Sequence, residues 1–223
     1  MQRTIVIFGA SGGIGRVLYA QYKKQGYRLV GTCRTNSHNA SLTHVDITDA
    51  AEVESFAHQL RTTGPISVIN CVGVNYNSVI EKSQWWKWTD VIEVNLIGAY
   101  NLLKAFTPIM KEKGHGRFMF MSSVVVKGMY GTSAYTASKA GLEGLVKCAA
   151  KELLGYNITV NAIRLGYFNT GLIKDVPKRV LEKEVYSSTV GQLCDPTNLY
   201  GLIEGVFKCE DMTGSIINVD RGV

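Results

Sequence analysis

The chain has 223 residues, 46% of them hydrophobic and 19% charged, a balance that excludes a disordered or fibrous protein. The formal net charge is +6, but the 24 Lys and Arg residues are dispersed, which disfavours nucleic acid as a partner. No apolar run reaches the ~18 residues that cross a membrane, and the N-terminus lacks a signal-peptide layout, so we expect a cytoplasmic protein without membrane contact.

The first half of the chain alternates short apolar runs with helical stretches. The third run is followed by Asp49, a residue type that suits the start of a helix. The predicted elements are strand Thr4–Phe8, helix Ile14–Gln25, strands Arg28–Cys33 and Leu42–Val45, a helix from about Asp49, and strand Ile66–Asn70.

The second half continues this alternation. A long helix is predicted over Gln84–Lys113, in which Pro108 could cause a kink or a break. The segment Thr170–Cys194 is less regular and could form a lid over a ligand. The remaining predictions are strand Arg117–Ser122, helix Ala134–Leu154, strand Ile158–Ile163, a helix over about Pro196–Phe207, and strand Ser215–Val219.

Apolar strands that are each followed by a helix are typical of a parallel sheet covered on both faces. The fold class is therefore α/β, a doubly wound parallel sheet of about seven strands. No linker, repeat or low-complexity segment interrupts the pattern, so we expect residues 1–223 to form a single domain.

A glycine-rich turn joins the first predicted strand to the first helix. Glycines at this junction let the backbone approach a pyrophosphate, while free N–H groups at the helix start attract its charge. The motif predicts a dinucleotide site, and the alternative is a glycine-rich turn without a ligand. Its residues are Gly9, Ser11, Gly12, Gly13, Ile14 and Gly15.

The end of the second strand carries no carboxylate to hold a ribose 2′-OH, as an NAD site would. Arg34 stands there instead and could hold a 2′-phosphate through charge-assisted hydrogen bonds. NADP(H) is therefore favoured over NAD(H). The alternative is that Arg34 is a solvated loop cation.

Tyr135 and Lys139 lie four residues apart near the start of a predicted helix, so they share one helix face. A nearby ammonium is expected to lower the pKa of the phenol, which can then exchange a proton with an alkoxide. Ser122 and Ser123 end the preceding strand, where strand ends open into a ligand crevice. Read separately, these residues could be an ordinary helix pair and turn residues; together they indicate carbonyl–alcohol chemistry.

The glycine loop, Asn70-Cys71-Val72-Gly73, Val94-Asn95-Leu96, the serines and Tyr-x-x-x-Lys occur in the order found in short-chain dehydrogenase/reductases. The chain resembles that family over essentially its whole length, and within it the 3-oxoacyl-carrier-protein reductases. The resemblance implies a Rossmann-type fold, a nicotinamide cofactor and a homotetramer or homodimer formed through the helices Gln84–Lys113 and Ala134–Leu154.

The same resemblance implies roles for individual residues. Tyr135 matches the acid/base, Lys139 the residue that lowers its pKa and binds the nicotinamide ribose, and Asn95 the residue that holds a relay water. The further matches for cofactor contacts are Asp46, Ile47, Asn70, Gly73, Gly166, Phe168 and Thr170.

The polarising serine is ambiguous. Counting back from Tyr135 by the step usual in the family reaches Ser122, whereas counting forward along the strand reaches Ser123. A one-residue slip turns every side chain of a strand over, so strand register is harder to shift than loop length. Ser123 is therefore favoured over Ser122.

Four positions depart from the family pattern. Cys71 and Val72 replace the usual Asn and Ala, and Leu165 replaces a proline, which could leave its loop less rigid. Gly12 occupies a position that is often basic in NADPH-preferring members, so Arg34 carries more of the phosphate hypothesis.

Other residues carry weaker signals. The five cysteines and four histidines show no metal-ligand spacing, so no metal is predicted, and the thiols are interpreted as reduced. Trp85, Trp86 and Trp88 are expected in packing or a subunit interface rather than in a substrate platform. The irregular segment carries basic residues that could contact an anionic acyl carrier or form a solvated face, namely Lys174, Lys178, Arg179 and Lys183.

These observations predict an NADP(H)-dependent oxidoreductase that interconverts a ketone and a secondary alcohol by hydride transfer, on a 3-oxoacyl thioester or a similar small molecule. A sugar, polyol or secondary-metabolite ketone is the alternative substrate. A dinucleotide-binding regulatory protein without turnover is the alternative class, although a sensor would need only the glycine loop.

Overall fold

The structure is a computed structural model and describes residues 2–34, 41–60, 62–186 and 191–223. The sheet strands are β1 (Thr4–Phe8), β2 (Arg28–Cys33), β3 (Leu42–His44), β4 (Ile66–Asn70), β5 (Gly116–Ser123), β6 (Ile158–Leu165) and β7 (Ile216–Val219).

These strands form one seven-stranded sheet in the order β3-β2-β1-β4-β5-β6-β7, with parallel pairing throughout. The order reverses between β1 and β4, which is the position where doubly wound sheets open a crevice at their carboxyl edge. The predicted fold class, a doubly wound parallel sheet, is confirmed.

Helices cover both faces of the sheet. Along β1, Ile5 and Ile7 pack into the core on one face, and Val6 and Phe8 pack into the core on the other, because successive side chains of a strand alternate. The helices are α1 (Gly13–Lys24), α2 (Ala50–Gln59), α3 (Trp85–Ile92), α4 (Gly98–Glu112), α5 (Ser133–Glu152), α6 (Lys178–Glu184) and α7 (Leu199–Lys208).

Local signals account for several helix boundaries. The Asp49 side chain caps α2 by accepting hydrogen bonds from the backbone N–H groups of Ala51 and Glu52. The predicted irregular segment contains a short 3-10 turn at Gly171–Asp175 and then α6. Among the described helices, none combines the length and apolar character that crossing a bilayer requires.

The predicted long helix is interrupted at a different place from the one expected. Pro108 lies within α4 without ending it, and Pro108 and Lys104 are both exposed, so solvent can reach the Lys104 carbonyl that loses its helical partner. The change of helical geometry is a π-helical turn at Glu93–Ile97, between α3 and α4. Such turns are frequent at functional sites, and this one contains the predicted relay residue Asn95.

Candidate active site

The turn between β1 and α1 depends on glycine. Gly9 has a φ of 76°, in the left-handed region that favours glycine. A Cβ on Gly15 would overlap the Gly9 carbonyl oxygen, and one on Gly13 would lie 2.5 Å from the Gly171 backbone nitrogen. Gly12 precedes α1 and provides no side-chain cap, so the first backbone N–H groups of α1 are left for another acceptor.

A cavity of about 220 Å³ lies beside this turn. Arg34, Asp46 and Ile47 line its outer part, so the predicted cofactor residues from β2 and from the segment after β3 meet there. One Asp46 carboxylate oxygen accepts hydrogen bonds from the backbone N–H and the hydroxyl of Thr48, at 3.0 and 2.8 Å. Further lining residues are Gly9, Ser11, Gly12 and Gly73.

A larger cavity of about 500 Å³ continues from the first, and both are lined by Gly12, Cys71, Val72 and Gly73. The cavities therefore form one trough along the carboxyl edge of the sheet. The larger one also brings together predicted residues from α1, β5, α5 and the segment after β6, namely Gly13, Ile14, Ser122, Ser123, Tyr135, Lys139, Gly166, Phe168 and Thr170.

Three of the predicted cofactor and relay residues do not line this trough. Gly15 lies beneath the glycine turn, against Gly9. Asn70 is buried at the end of β4, where its side-chain oxygen accepts a hydrogen bond from the Val72 N–H at 3.0 Å. The Asn70 side chain thus shapes the segment that lines the trough, and its predicted contact with the cofactor stays a prediction.

Asn95 is the third of these residues. Its amide oxygen accepts from the Val74 N–H at 2.9 Å, and its amide nitrogen donates to the Val74 carbonyl at 2.9 Å and to the Ser138 hydroxyl at 3.0 Å. Both amide N–H groups are therefore engaged by the protein, and the side chain holds the loop after β4 in place.

Tyr135 and Lys139 lie one helical turn apart on α5, and both line the larger cavity. The Lys139 ammonium nitrogen is 5.6 Å from the centre of the Tyr135 ring, and it donates a hydrogen bond to the Met121 carbonyl at 2.8 Å. The Tyr135 hydroxyl is within hydrogen-bonding contact of Ser123.

The pKa of Tyr135 differs from the expectation. Burial raises the pKa of Tyr135 to about 12, and the hydrogen bond with Ser123 opposes that rise. Burial also lowers the pKa of Lys139 to about 8. The ammonium is directed at the Met121 carbonyl, and burial is the dominant influence on the phenol, so the pKa of Tyr135 lies above its ordinary value, whereas the sequence predicts a lowered one.

The two serines at the end of β5 have different surroundings. Ser122 donates a 2.6 Å hydrogen bond to Glu143 on α5, and Arg164 on β6 also binds that carboxylate, at 2.6 Å and 3.0 Å. Ser123 contacts the Tyr135 hydroxyl. The bonds to Arg164 and Ser122 keep the pKa of Glu143 below its usual range, although burial opposes them.

Sequence reasoning did not anticipate Glu143 as a buried anchor beside the site. The available signal was a carboxylate four residues after Lys139, which places both on one face of α5. Within the described ranges, no three His, Cys, Asp or Glu side chains come together in a way that could hold a metal ion.

A doubly wound sheet with a glycine-rich first turn, and with a Ser–Tyr–Lys group over a cavity at its carboxyl edge, defines a dinucleotide-dependent oxidoreductase. The short chain dehydrogenase family profile matches residues 3–180, and the chain belongs to this family.

Two known relatives align with this chain over its full length. The chain is 30% identical over 239 residues to an acetoacetyl-CoA reductase of Rhizobium meliloti (strain 1021), covering 100% of this chain and 98% of that protein. It is 28% identical over 243 residues to a 3-oxoacyl-(acyl-carrier-protein) reductase of Staphylococcus aureus (strain N315), with coverage of 100% and 98%.

The fold is shared with a solved enzyme. Ligand-free aldohexose dehydrogenase of Thermoplasma acidophilum superposes with a TM-score of 0.87 at 23% identity, over 99% of this chain and 93% of that one.

The family uses a nicotinamide dinucleotide, and the trough fits such a molecule. Its two parts are continuous, its middle is lined by glycine backbone, and its walls offer the uncapped start of α1. A Cβ on Gly73 would lie in ordinary van der Waals contact with the Lys139 nitrogen, at 3.5 Å, so the Gly73 backbone borders the space beside Lys139.

Proposed function

We propose that this oxidoreductase interconverts a ketone and a secondary alcohol with NADP(H), and that its substrate is a 3-oxoacyl thioester or a close analogue. The observation that carries the proposal is that Ser123, Tyr135 and Lys139 line one wall of the 500 Å³ cavity, with the Lys139 nitrogen 5.6 Å from the centre of the Tyr135 ring.

The nicotinamide, when bound, supplies the hydride that the carbonyl carbon accepts. Ser123 donates a hydrogen bond to the carbonyl oxygen, and Tyr135 transfers its phenolic proton to that oxygen as negative charge develops. The geometry favours Ser123 over Ser122 for this role, because Ser122 already donates to Glu143. Lys139 provides positive charge beside the phenol that loses a proton.

The pKa of Tyr135, about 12, keeps its phenol protonated at neutral pH, which suits reduction. Oxidation of the alcohol needs the phenolate, so it is favoured by high pH or by a bound group that turns the Lys139 ammonium toward the phenol. We therefore propose reduction as the favoured direction near pH 7.

The preference for NADP(H) rests on Arg34. Arg34 lines the 220 Å³ cavity and is exposed, so its guanidinium is accessible to a 2′-phosphate. Arg34→Ala should weaken NADPH binding roughly 10-fold or more and leave NADH binding nearly unchanged. Fluorescence titration with each nucleotide measures this, and an unchanged ratio of affinities would remove the NADP(H) assignment.

The choice of substrate is supported by the cavity wall and by the relatives. Hydrophobic side chains such as Val124, Leu172 and Ile173 line much of the cavity, and a sugar or polyol would leave its hydroxyls unpaired against them. The two reductases at about 30% identity act, by their names, on acetoacetyl-CoA and 3-oxoacyl chains.

An acyl carrier would meet the basic residues near α6. Lys178 pairs with Glu182 at 3.7 Å and Lys183 with Glu184 at 3.5 Å, while Lys174 and Arg179 are exposed. A carrier-bound substrate is therefore a secondary proposal.

We also propose that single-domain subunits assemble into a homotetramer or homodimer. Light scattering of the purified protein measures this oligomeric state.

The test of turnover is the loss of NADPH absorbance with acetoacetyl thioesters and a panel of ketones. Tyr135→Phe should lower turnover by roughly 10³-fold while NADPH affinity stays nearly constant. Binding of NADPH with no turnover of any substrate, and no effect of Tyr135→Phe, would favour the regulatory protein. An equal loss of binding and turnover would contradict the acid/base role of Tyr135.

A further inference from the structure

The loop after β4 is fixed at both ends beside the proposed reaction centre. Asn95 holds the backbone N–H and carbonyl of Val74, each at 2.9 Å. Four residues on, the Ser78 N–H donates to the Gly131 carbonyl at 2.8 Å, and Ser78 pairs with Thr132 just before α5 begins. The backbone between these two anchors is therefore held in one conformation, and this preorganises its side chains beside the cavity.

Asn75 lies between the anchors and lines the 500 Å³ cavity, but not the smaller cavity that contains Arg34. Its amide oxygen is buried and has no hydrogen-bond partner among the described residues. A buried acceptor without a donor is costly, and native proteins rarely keep one unless a ligand or water meets it.

Several other polar side chains on the wall of this cavity already have partners. Ser122 bonds to Glu143, and the Thr132 hydroxyl donates to the Met129 carbonyl at 2.8 Å. The Tyr167 hydroxyl contacts the Met129 sulfur at 3.5 Å. Asn75 thus differs from them, because its acceptor is still available.

The rest of the wall limits what the donor can be. Lys139 is the one charged residue among the described residues that line this cavity, and much of the remaining surface is apolar. A neutral group fits this environment, because a cation near Asn75 would have no counter-charge on that wall and an anion would have Lys139 alone.

On the basis of the proposed function, we infer that Asn75 is a specificity-determining residue. It accepts a hydrogen bond from a neutral N–H or O–H group close to the carbonyl that is reduced, and the remainder of the substrate is apolar. An amide N–H near the acyl carbonyl, or a hydroxyl on the adjacent chain, has this chemistry.

The test uses three probes of similar shape. The first is an N-alkyl 3-oxobutanamide, and the second is the ester in which an oxygen replaces the amide N–H. The third is an alkyl ketone that lacks both the amide N–H and the amide carbonyl. The wild-type enzyme should favour the amide over the ester. Asn75→Leu should lower kcat/KM for the amide by roughly 10- to 100-fold and change the plain ketone by about 2-fold or less.

Two further variants separate the acceptor from other causes. Asn75→Asp keeps an acceptor oxygen and should retain the preference for amide over ester. Asn77→Leu changes an exposed amide two residues along the same loop, on the wall of the same cavity, and should leave the preference intact because this side chain is open to solvent. NADPH affinity and Tm of each variant show whether the loop has kept its structure.

Equal losses with all three probes in Asn75→Leu, or no discrimination between amide and ester by the wild type, would overturn the inference while leaving the reductase assignment intact. A preference for the ester that depends on Asn75 would assign a donor role and would also overturn it. If the wild type reduces none of the probes or thioesters, the proposed function fails first.

Discussion

Two buried polar clusters lie at opposite ends of this sheet, and they are built differently. At the amino end, Glu204 on α7 accepts from the Arg3 guanidinium at 2.5 and 2.6 Å and from the hydroxyls of Tyr22 and Tyr27, each at 2.9 Å. The guanidinium also lies over the rings of Tyr27 and Phe207. Both oxygens of Glu204 have partners, and the cluster joins the residues just before β1 and β2 to α1 and α7.

At the carboxyl end, some of the buried groups that line the cavity are left under-partnered. Burial shifts the pKa of Tyr135 upward and that of Lys139 downward, and the Asn75 oxygen has no partner within the described chain. A cluster whose groups satisfy one another stabilises the fold, whereas groups that are held in place but unsatisfied can respond to a ligand. The same sheet therefore uses one edge for stability and the other for chemistry.

The largest effect is expected from breaking the amino-end cluster. Glu204→Gln leaves the buried Arg3 charge unpaired and should lower the free energy of unfolding by about 3–4 kcal/mol, as measured by urea denaturation. Activity per folded molecule should not change, because the cluster is at the far edge of the sheet. Glu210→Gln is the control: its carboxylate is 69% exposed, 3.5 Å from Arg117, and its loss should cost about 0.5 kcal/mol or less. Comparable losses for both variants would contradict the distinction between the clusters.

Ser122 and Ser123 allow a matched comparison of two variants at the carboxyl edge. Ser123→Ala removes the hydroxyl that contacts Tyr135 and should lower kcat roughly 100-fold with little change in Tm. Ser122→Ala removes the partner of Glu143 and should cost about 1 kcal/mol of stability while kcat stays within several-fold. The reverse pattern would transfer the catalytic role to Ser122.

Most of the fold was predictable, because the apolar strands and the glycine turn are local signals. The π-helical turn at Glu93–Ile97 was not, since it follows from how Asn95 binds Val74, a contact between residues far apart in sequence. Pro108 was a misleading signal because its exposed position lets water replace the lost hydrogen bond.

The site residues were predictable in identity more than in environment. Tyr135 and Lys139 could be found from their spacing, but the directions of their pKa values could not, because burial and the position of the Met121 carbonyl are tertiary properties. Asn75 belongs to no motif, and it stands out only in the folded chain, where its buried oxygen has no partner among the described residues.

Lys139 provides the test with the smallest expected effect. Its buried charge should lower the free energy of unfolding, whereas the paired charges at the amino end should raise it. The pKa of Lys139 is about 8 in the folded protein and 10.5 ordinarily, so between these values the unfolded chain binds more protons than the folded chain. The free energy of unfolding of the wild type, relative to Lys139→Met and without nucleotide, should therefore rise with pH in this range. Between about pH 7.5 and 9.5 the gain should be about 1–2 kcal/mol. A difference that is flat with pH would mean that the ammonium is solvated, and that the carboxyl edge is no less satisfied than the amino edge.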